Sequence, residues 1–536
     1  MGGVVAAGHP LTAAAGARAL RAGGNAVDAA VAACLMSFVC ESPLTGPGAG
    51  GFMLVHSAGG ESVLLDFFVA APGRGLAERV PAELVPIDVH FSAEAVQVFN
   101  VGASSCGVPG TLAGLAHGLG RFGSMPLGDL AAAPARAARD GVALGPMQAY
   151  LHRILAPILG GSSESAALFG PPECPLREGE VLRQPELGDL LERFGAEGPG
   201  FLYEGEVAGA LSDWVLERGG LLTREDLAAY ATVEREPARA DYRGREVLTN
   251  PPPSSGGILI AYSLALLGLL DREPDPVTLV EVLARANAAR TEDFVAGLHL
   301  EGYLESFLAR EAIATAAEEA AVRLGTAREQ AVRVPASGQR AGGTAGRAGD
   351  PGLGSTTHVT VLDARGGCAS VTCSNGSGSG VAVPGTGVHL NNMLGEHDLN
   401  PFGFHRHEPG RRIPSMMAPT VVLRSGEPEV GLGSAGSNRI RSAVLQTLLA
   451  VVDLRLEAEE AVARPRVHLE GTRVDAEPGV DADALTRLEL VGYEVQRWRE
   501  RNLFFGGVQA VARDPQTGEL SGGGDPRRGG VAAAAA

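Results

Sequence analysis

The stretch GSTTHVTVLDARGGCASVTCS, residues 354–374, carries the features that decide the fold. Within it, THVTVLD (357–363) and CASVTCS (368–374) have the residue alternation of two strands joined by a short turn, which is typical of a β-hairpin. Just upstream, residues 335–355 contain almost no bulky side chain. Such a segment buries too little apolar surface to offset the entropy lost on ordering. The sequence therefore predicts an exposed linker that ends where a strand begins.

Two interpretations fit the junction between Ser355 and Thr356. A loop that enters a strand explains it without any chemistry, because threonine is a common strand residue. Cleavage of this bond would instead make Thr356 N-terminal, with its hydroxyl as a nucleophile and its own α-amine as the general base. A free α-amine has a pKa of about 7.7–8.0, so it can accept the hydroxyl proton near neutrality.

The remaining patterns divide the chain into three parts. Residues 1–334 are rich in helical periodicity, with Asn25 as an expected N-cap and an apolar core helix at 257–270. The linker occupies residues 335–355, and residues 356–536 carry mainly strand patterns. At about 150 residues per domain, the length alone suggests three or four domains.

Composition excludes several classes of function. The 536 residues include 44 Lys plus Arg against 62 Asp plus Glu, a net charge of −18, whereas a nucleic-acid-binding protein needs a basic face. All 44 basic residues are arginines, which excludes a PLP-type Schiff-base lysine and a P-loop lysine. We therefore expect no nucleic-acid partner and no cofactor.

The cysteines and the N-terminus indicate a reducing compartment. None of the six cysteines forms a C-x-x-C pair, so a disulfide framework is not indicated. The opening residues MGGVVAAGHPLT lack a basic segment and an apolar signal segment. We expect a cytoplasmic protein, or a secreted or periplasmic one if the start was assigned wrongly. The apolar stretch 257–270 is too short to span a membrane, so no membrane partner is expected.

Two other motifs have simple structural explanations. GPGAGG at 46–51 matches a dinucleotide-binding pattern, but the strand-like FMLVHS follows it where that pattern needs a helix. A structural glycine turn is the better interpretation. HRHE at 405–408, with His397 and Asp398 nearby, could form a metal cluster, but a catalytic zinc site needs three convergent ligands, and His-x-His in a loop rich in Pro, Gly and Arg is more often solvated surface. We expect no metal.

Taken together, ordered segments along nearly the whole chain resemble the γ-glutamyltransferases, which are N-terminal-nucleophile (Ntn) hydrolases. The segments are GHPLTAAAGARALRAGGNAVDAAVAA (8–33), TGPGAGGFMLV (45–55), GVPGTLAGL (107–115), GGLLTREDLAAY (219–230), YRGREVLTNPPPSSGG (242–257), TTHVTVLDARG (356–366), GTGVHLNNML (385–394), PSMMAPTVV (414–422), GSAGSNRI (433–440) and DPRR (525–528).

This resemblance implies the fold and a maturation step. The family has an α/β fold, an αββα sandwich, and its precursors cleave themselves at the nucleophilic threonine. Here the products would be a large chain, 1–355, and a small chain, 356–536, which stay together as a heterodimer. The expected substrate is a small-molecule amide.

By resemblance, the catalytic roles fall on five residues. Thr356 matches the nucleophile, and Thr357 follows it in the family's Thr-Thr-His opening and supports its orientation. Ser374 occupies the place of a hydroxyl residue that hydrogen-bonds the threonine amine. Gly436 and Ser437 fall on the oxyanion hole, which uses backbone N–H groups and therefore tolerates a side chain at the second position.

The resemblance also implies residues that bind the acyl group of the substrate. Ser415 matches the first of two serines that contact the glutamyl carboxylate. Asp398, or else Glu396, is the candidate for the acid that holds the substrate α-amine. Asn375 corresponds loosely to a substrate-binding asparagine, because the segment around it is shorter than usual.

Three positions depart from the family pattern towards apolar side chains. Phe68 stands where the family has the arginine that binds the substrate carboxylate, and an aromatic ring cannot form that bidentate pair. Met416 replaces the second carboxylate serine, and Met393 replaces a polar residue after the Asn-Asn pair. Arg439 or Arg412 would have to point into the pocket to replace the missing guanidinium.

Three functions follow from these observations. The family favours an amidohydrolase or acyltransferase that cleaves γ-glutamyl amides such as glutathione. The apolar substitutions favour a cephalosporin-acylase-like enzyme for a different, more apolar acyl group, because loss of buried polar contacts changes specificity strongly. A third alternative is an uncleaved, catalytically silent binding protein, against which the intact Thr-Thr-His junction argues.

Overall fold

The computed structural model describes residues 2–90, 96–333, 356–400 and 402–535. The expected linker at 335–355, including the cleavage junction at Ser355, lies outside the described residues. The expected division at 334 and 355 therefore stays a prediction.

Strands dominate the centre of the molecule. In chain order they are β1 (Gly3–Ala7), β2 (Gly50–His56), β3 (Ser62–Phe67), β4 (Val85–His90), β5 (Val96–Val101), β6 (Val142–Ala143), β7 (Val181–Leu182), β8 (Val233–Arg235), β9 (Ala238–Tyr242), β10 (Arg245–Thr249), β11 (Thr357–Asp363), β12 (Cys368–Ser374), β13 (Ala382–Val383), β14 (Val388–His389), β15 (Thr420–Arg424), β16 (Glu427–Ala435), β17 (Val467–Glu470), β18 (Arg473–Ala476), β19 (Glu494–Arg497), β20 (Gly507–Arg513), β21 (Leu520–Gly524) and β22 (Val531–Ala535).

Helices surround these strands. They are α1 (Pro10–Arg21), α2 (Ala26–Cys40), α3 (Thr111–Phe122), α4 (Leu127–Asp140), α5 (Pro146–Ile154), α6 (Ala156–Leu159), α7 (Ser163–Phe169), α8 (Pro185–Glu197), α9 (Gly200–Tyr203), α10 (Glu206–Glu217), α11 (Arg224–Ala228), α12 (Gly256–Leu270), α13 (Pro276–Ala288), α14 (Glu292–Gly297), α15 (Tyr303–Phe307), α16 (Arg310–Arg333), α17 (Arg439–Val452), α18 (Ala458–Ala463) and α19 (Ala482–Leu490).

Two large antiparallel sheets form the inner layers. The first has the order β22-β1-β11-β12-β2-β3-β8 and the second β21-β20-β16-β15-β10-β9. Strands β11 and β12 pack across the gap on β16, while β1 packs on β20 and β21. Helices α1, α2 and α3 cover the outer face of the first sheet, and α12, α17 and α18 cover that of the second. This arrangement confirms the expected αββα sandwich.

The two faces of the first sheet have different surroundings because strand side chains alternate. Val359 and Val361 of β11 join the apolar cluster beneath α1 and α2. His358 and Thr360 point the other way, into the space between the sheets. There a Cβ added at Gly433 of β16 would lie 2.2 Å from the His358 ring. The two sheets are thus in close contact just below the start of β11.

Each sheet contains strands from both sides of the undescribed segment 334–355. In the first sheet β11 lies between β1 and β12, and β12 in turn pairs with β2. In the second sheet β10 pairs with β15. The parts before and after the expected linker therefore share one core. The two sheets do not divide into separate domains, which the chain length alone suggested.

Local signals in the sequence produce the expected elements. Asn25 caps α2: its side chain accepts from the N–H groups of Val27 and Asp28, and Asp28 accepts from the Asn25 N–H in return. The apolar stretch 257–270 lies within α12, as predicted. In the glycine-rich turn, a Cβ at Gly48 would lie 2.2 Å from the His389 carbonyl oxygen, so close backbone approach explains that glycine. Along the described ranges, no helix has the length and apolar character needed to cross a bilayer.

Candidate active site

Thr356 immediately precedes β11 at the edge of the space between the sheets. Its side chain is buried, and its Oγ1 donates to Ser374 Oγ at 3.2 Å. Ser374 Oγ also accepts from the Gly376 N–H at 2.8 Å. Thr357 pairs with Cys373 across β11 and β12, so the hairpin register brings Thr356 and Ser374 together one residue beyond. The sequence predicts that Ser374 hydrogen-bonds the amine of Thr356; the structure places its hydroxyl against that of Thr356, and the contact with the amine stays a prediction.

Thr357 points to the opposite face of the sheet. Its Oγ1 donates to Glu41 Oε2 at 2.6 Å, and Thr12 Oγ1 of α1 donates to Glu41 Oε1 at 2.7 Å. Glu41 is 1% exposed, and burial raises the pKa of its carboxyl against the opposing effects of the two hydroxyls and Arg528. Glu41 belongs to none of the sequence motifs that predict the site. The one feature of the sequence that points to Glu41 is its acidic side chain directly after the apolar C-terminal end of α2.

Arg528, in the DPRR segment, reaches the same region from the end of the chain. Its Nη1 donates to the Thr356 carbonyl oxygen at 3.5 Å. Burial lowers the pKa of the guanidinium to about 10, still far above neutrality. A small cavity between Thr356, Glu41 and Arg528 has space for about one water molecule. A positive charge therefore faces the carbonyl of the candidate nucleophile.

The predicted oxyanion residues form the turn between β16 and α17. Gly436 has φ +125°, where glycine is favoured, and Ser437 has φ +49°. Ser437 Oγ donates to Asp398 Oδ2 at 2.5 Å, and Asn438 Nδ2 donates to Asp398 Oδ1 at 2.9 Å. The structure thus joins the candidate amine-binding acid to the candidate oxyanion turn, a link that the sequence did not reveal.

Glu396 and Asn375 are buried polar groups on the neighbouring loops. Burial first, and then the charge of Asp398, raises the pKa of Glu396 to about 8. Among the described residues, neither Glu396 Oε1 nor the side-chain amide of Asn375 has a hydrogen-bond partner. A buried polar group without a partner costs free energy, so both side chains are suited to bind a polar part of a ligand. Gly376, the residue after Asn375, approaches Glu396 closely: a Cβ there would be 3.0 Å from Glu396 Oε1.

Phe68 is aligned with Thr356 and Ser374 across the neighbouring strands of the first sheet. Ser374 pairs with Gly50 of β2, and a Cβ at Gly50 would lie 3.1 Å from the Phe68 carbonyl carbon. The Phe68 ring is fully buried and stacks on Phe52, with centroids 5.3 Å apart. It therefore occupies a fixed, apolar place beside the site.

Ser415 and Met416 are buried and lie in the segment that leads into β15. Ser415 Oγ accepts from the Met417 N–H at 3.1 Å, and Met416 Sδ accepts from Ser255 Oγ at 3.5 Å. Met416, Met393 and Phe68 all belong to one apolar cluster. No described contact links Ser415 directly to Thr356, so its role at the acyl group stays a prediction.

Neither candidate arginine takes the place of the missing guanidinium. Arg412 binds Asp66, with Nε 3.3 Å from Oδ1, and stacks on Tyr230 at 4.3 Å. Arg439 is fully buried, stacks on Phe504 at 4.6 Å and donates from Nε to the Phe504 carbonyl at 3.3 Å. Both side chains are committed to structural partners.

The HRHE segment has its own local contacts. His405 Nε2 lies 2.8 Å from the Ser104 carbonyl oxygen. Across the part of the chain that the structure describes, no group of three His, Cys, Asp or Glu residues is arranged to hold a metal ion.

Comparison with known proteins identifies the family. The family model described as gamma-glutamyltranspeptidase matches residues 12–535, nearly the whole chain. The chain belongs to the γ-glutamyltranspeptidase family. It is therefore an Ntn hydrolase of that family, and the resemblance found in the sequence is confirmed.

Relatives within the γ-glutamyltranspeptidase family bear two kinds of name. The acylase ACY 1 proenzyme of Pseudomonas sp. (strain SE83) is 34% identical over 97% of this chain and 91% of its own. The glutathione hydrolase proenzyme of Bacillus subtilis (strain 168) is 31% identical over 99% of this chain and 91% of its own. The crystal structure of cephalosporin acylase from Bacillus halodurans superposes with a TM-score of 0.81 at 26% identity, covering 99% of this chain and 95% of that one.

Proposed function

We propose that this protein is an N-terminal-threonine amidohydrolase or acyltransferase that cleaves itself before Thr356 and remains a heterodimer. The observation that carries the proposal is the buried Thr356–Ser374 hydroxyl pair at the start of β11. Relatives of similar length are named proenzymes, which supports a maturation step. The silent-binder alternative has no comparable support.

The proposed reaction uses the free α-amine of Thr356 as its base. The amine takes the hydroxyl proton, and Oγ1 attacks the substrate amide carbon. The N–H groups of Gly436 and Ser437 stabilise the oxyanion, and Asp398 holds that turn through Ser437 and Asn438. The leaving amine departs with the proton. Water, or an acceptor amine, then attacks the acyl ester and regenerates the threonine.

A γ-glutamyl amide such as glutathione is the first candidate substrate. The family membership and the glutathione hydrolase relative support it. Asp398 supplies a partly exposed carboxylate beside the oxyanion turn that suits an α-ammonium group. Asn375 supplies a side-chain amide that has no hydrogen-bond partner within the described part of the chain.

An acyl group without the α-carboxylate is the second candidate. The observation that favours it is Phe68, which stacks on Phe52 where the family has its carboxylate-binding arginine. Arg412 and Arg439 are held by other partners, so no guanidinium compensates among these candidates. The acylase relative, at 34% identity, supports this substrate class equally well.

Intact-mass spectrometry of the purified protein tests the proposed function. The wild-type chain should give two species that divide between Ser355 and Thr356, and Thr356→Ala should give one uncleaved species without activity. Thr486→Ala, on the outer helix α19, is the matched control and should split normally. A Thr356→Ala chain that still divides at Ser355 would disprove the nucleophile. Parallel assays of a γ-glutamyl anilide and an aromatic acyl anilide then separate the two substrate classes.

A further inference from the structure

Glu41 is a buried acid that touches the candidate nucleophile segment without lying on the substrate side. It follows α2 and is 1% exposed. A carboxylate removed from water is stable only with hydrogen-bond donors around it. Glu41 finds them in Thr12 of α1, at 2.7 Å, and Thr357 of β11, at 2.6 Å. One side chain thus joins two helices to the strand that begins beside Thr356.

At Gly8 the backbone leaves no space for a side chain beside Glu41. A Cβ added at Gly8 would lie 2.5 Å from Glu41 Oε2 and 3.4 Å from Thr357 Oγ1. Real Cβ atoms do not approach oxygen so closely, and the two hydroxyls hold the carboxylate in place. Gly8, directly after β1, therefore lets the acid reach Thr357 directly.

Alternation along the strand places the contacts of Thr356 and Thr357 on opposite faces. Thr356 Oγ1 contacts Ser374 on the side of the second sheet, and Thr357 Oγ1 contacts Glu41 on the side of α2. The peptide group between the two threonines is held from both faces. Arg528 adds a third point at the Thr356 carbonyl oxygen. Rotation of this peptide would move the hydroxyl of Thr356.

We infer that Glu41 is a positioning residue, which acts through the hydroxyl of Thr357 to orient Thr356 for attack. This inference rests on the proposed function and names a part of the site that the sequence did not predict. Misplacement of a reacting group by about 1 Å costs roughly a hundredfold in rate. Loss of the contact should therefore lower kcat by about ten- to a hundredfold.

Four variants test this role in the matured enzyme. Glu41→Leu and Thr357→Val each remove the contact, and both should lower kcat with an unchanged KM, because neither side chain touches substrate. Glu41→Gln and Thr357→Ser keep a hydrogen bond, so their kcat should lie within about threefold of the wild-type value. That change in activation free energy is smaller than the roughly 1.4 kcal/mol that corresponds to a tenfold change in rate. The double variant Glu41→Leu/Thr357→Val should be no slower than either single variant.

Glu281→Leu is the matched control. Glu281 is also 1% exposed and paired, with Arg323 and Tyr493, but it lies on α13. This variant should lose stability and keep its kcat. A Glu41→Leu enzyme with the turnover of wild type, or a double variant whose losses multiply, would overturn the role of Glu41.

Two further outcomes are decided by separate measurements. If Glu41→Leu stays uncleaved, its melting temperature is compared with that of Thr356→Ala, which is also uncleaved. Equal values indicate lost positioning and support the inference, whereas a value as low as that of Glu281→Leu indicates lost folding and overturns it. A wild-type chain that never divides defeats the proposed function itself.

Discussion

Glu396 is the residue whose ionisation differs most clearly from that of an ordinary glutamate at this site. Its pKa is raised from 4.5 to about 8 by burial and by the nearby Asp398 carboxylate. Between those values the folded protein holds one proton more than the unfolded chain. The free energy of unfolding must therefore fall as pH rises through this window.

We predict that Glu396→Gln removes this pH dependence. In the wild-type protein, the contribution of Glu396 to the free energy of unfolding is fully present below pH 4.5 and is lost as pH rises through about 8. The free energy of unfolding falls in this window by no more than about 1.4 kcal/mol per pH unit. Urea unfolding at pH 5 to 8 measures it. The exposed Glu489, paired with Arg497, provides the control variant Glu489→Gln, which should follow wild type. Equal pH profiles for wild type and Glu396→Gln would contradict the protonated state of Glu396.

For single residues, the sequence predicted chemical roles better than it predicted which side chains are in contact. Thr356 and Ser374 are close in a hairpin, so their contact follows from local register. Glu41 and Arg528 lie more than 100 residues from Thr356 in the chain, and only the assembled sheets bring them to it. Asp398 was chosen as a substrate ligand, but its contact with Ser437 depends on loop conformations that no periodicity encodes.

Strand β11 shows how an element can combine catalytic and structural demands. Its inward side chains His358 and Thr360 form a polar network between the sheets, in which His358 Nδ1 lies 2.8 Å from Thr372 Oγ1 and Nε2 lies 2.7 Å from Thr360 Oγ1. Burial lowers the pKa of His358 to about 3, so the ring is neutral. Gly433 of β16 provides the space for it.

We predict that Gly433→Ala destabilises the protein by about 1–3 kcal/mol, the usual cost of overpacking a core. The new Cβ would lie 2.2 Å from the His358 ring, which its hydrogen bonds prevent from moving away. Thermal unfolding measures the effect. Gly268→Ala in helix α12 is the control, because its Cβ would meet no described atom within 4 Å outside the adjacent backbone of its own helix. That variant should be stabilised by roughly 0.5–1 kcal/mol. An unchanged melting temperature for Gly433→Ala would show that the sheets can separate locally.

Elements with a local signature were predictable. The β11–β12 hairpin, the capped helix α2 and the apolar helix α12 were all predicted from residues adjacent in the chain. The pairing of β1 with β11 was not, because those strands are about 350 residues apart and nothing in their patterns selects the partner.

At the scale of the whole molecule, the two large sheets are interlaced along the chain. The first sheet takes β1, β2, β3 and β8 from before the undescribed segment 334–355 and β11, β12 and β22 from after it. The second sheet takes β9 and β10 from before it and four strands from after it. A cut in that segment would therefore leave every strand pair intact.

We predict that the matured protein behaves as one cooperative unit. The two chains should elute together in size-exclusion chromatography and unfold in a single calorimetric transition, because each of the two large sheets takes strands from both chains. Thr356→Ala, which stays uncleaved, should show a transition of the same shape. Two separated transitions, or chains that part in native buffer, would contradict the shared core.

The central place of β11 has a consequence for the chain end that the proposed cleavage would create. Newly exposed termini usually fray, and a frayed nucleophile would have to be captured again at every turnover. Here the strand starts at Thr357 and is flanked by β12 on one side and β1 on the other. Backbone amides from Val359 onward should exchange with deuterium as slowly as those of the deepest strands. The hydroxyl that attacks would then be immobile before any substrate arrives.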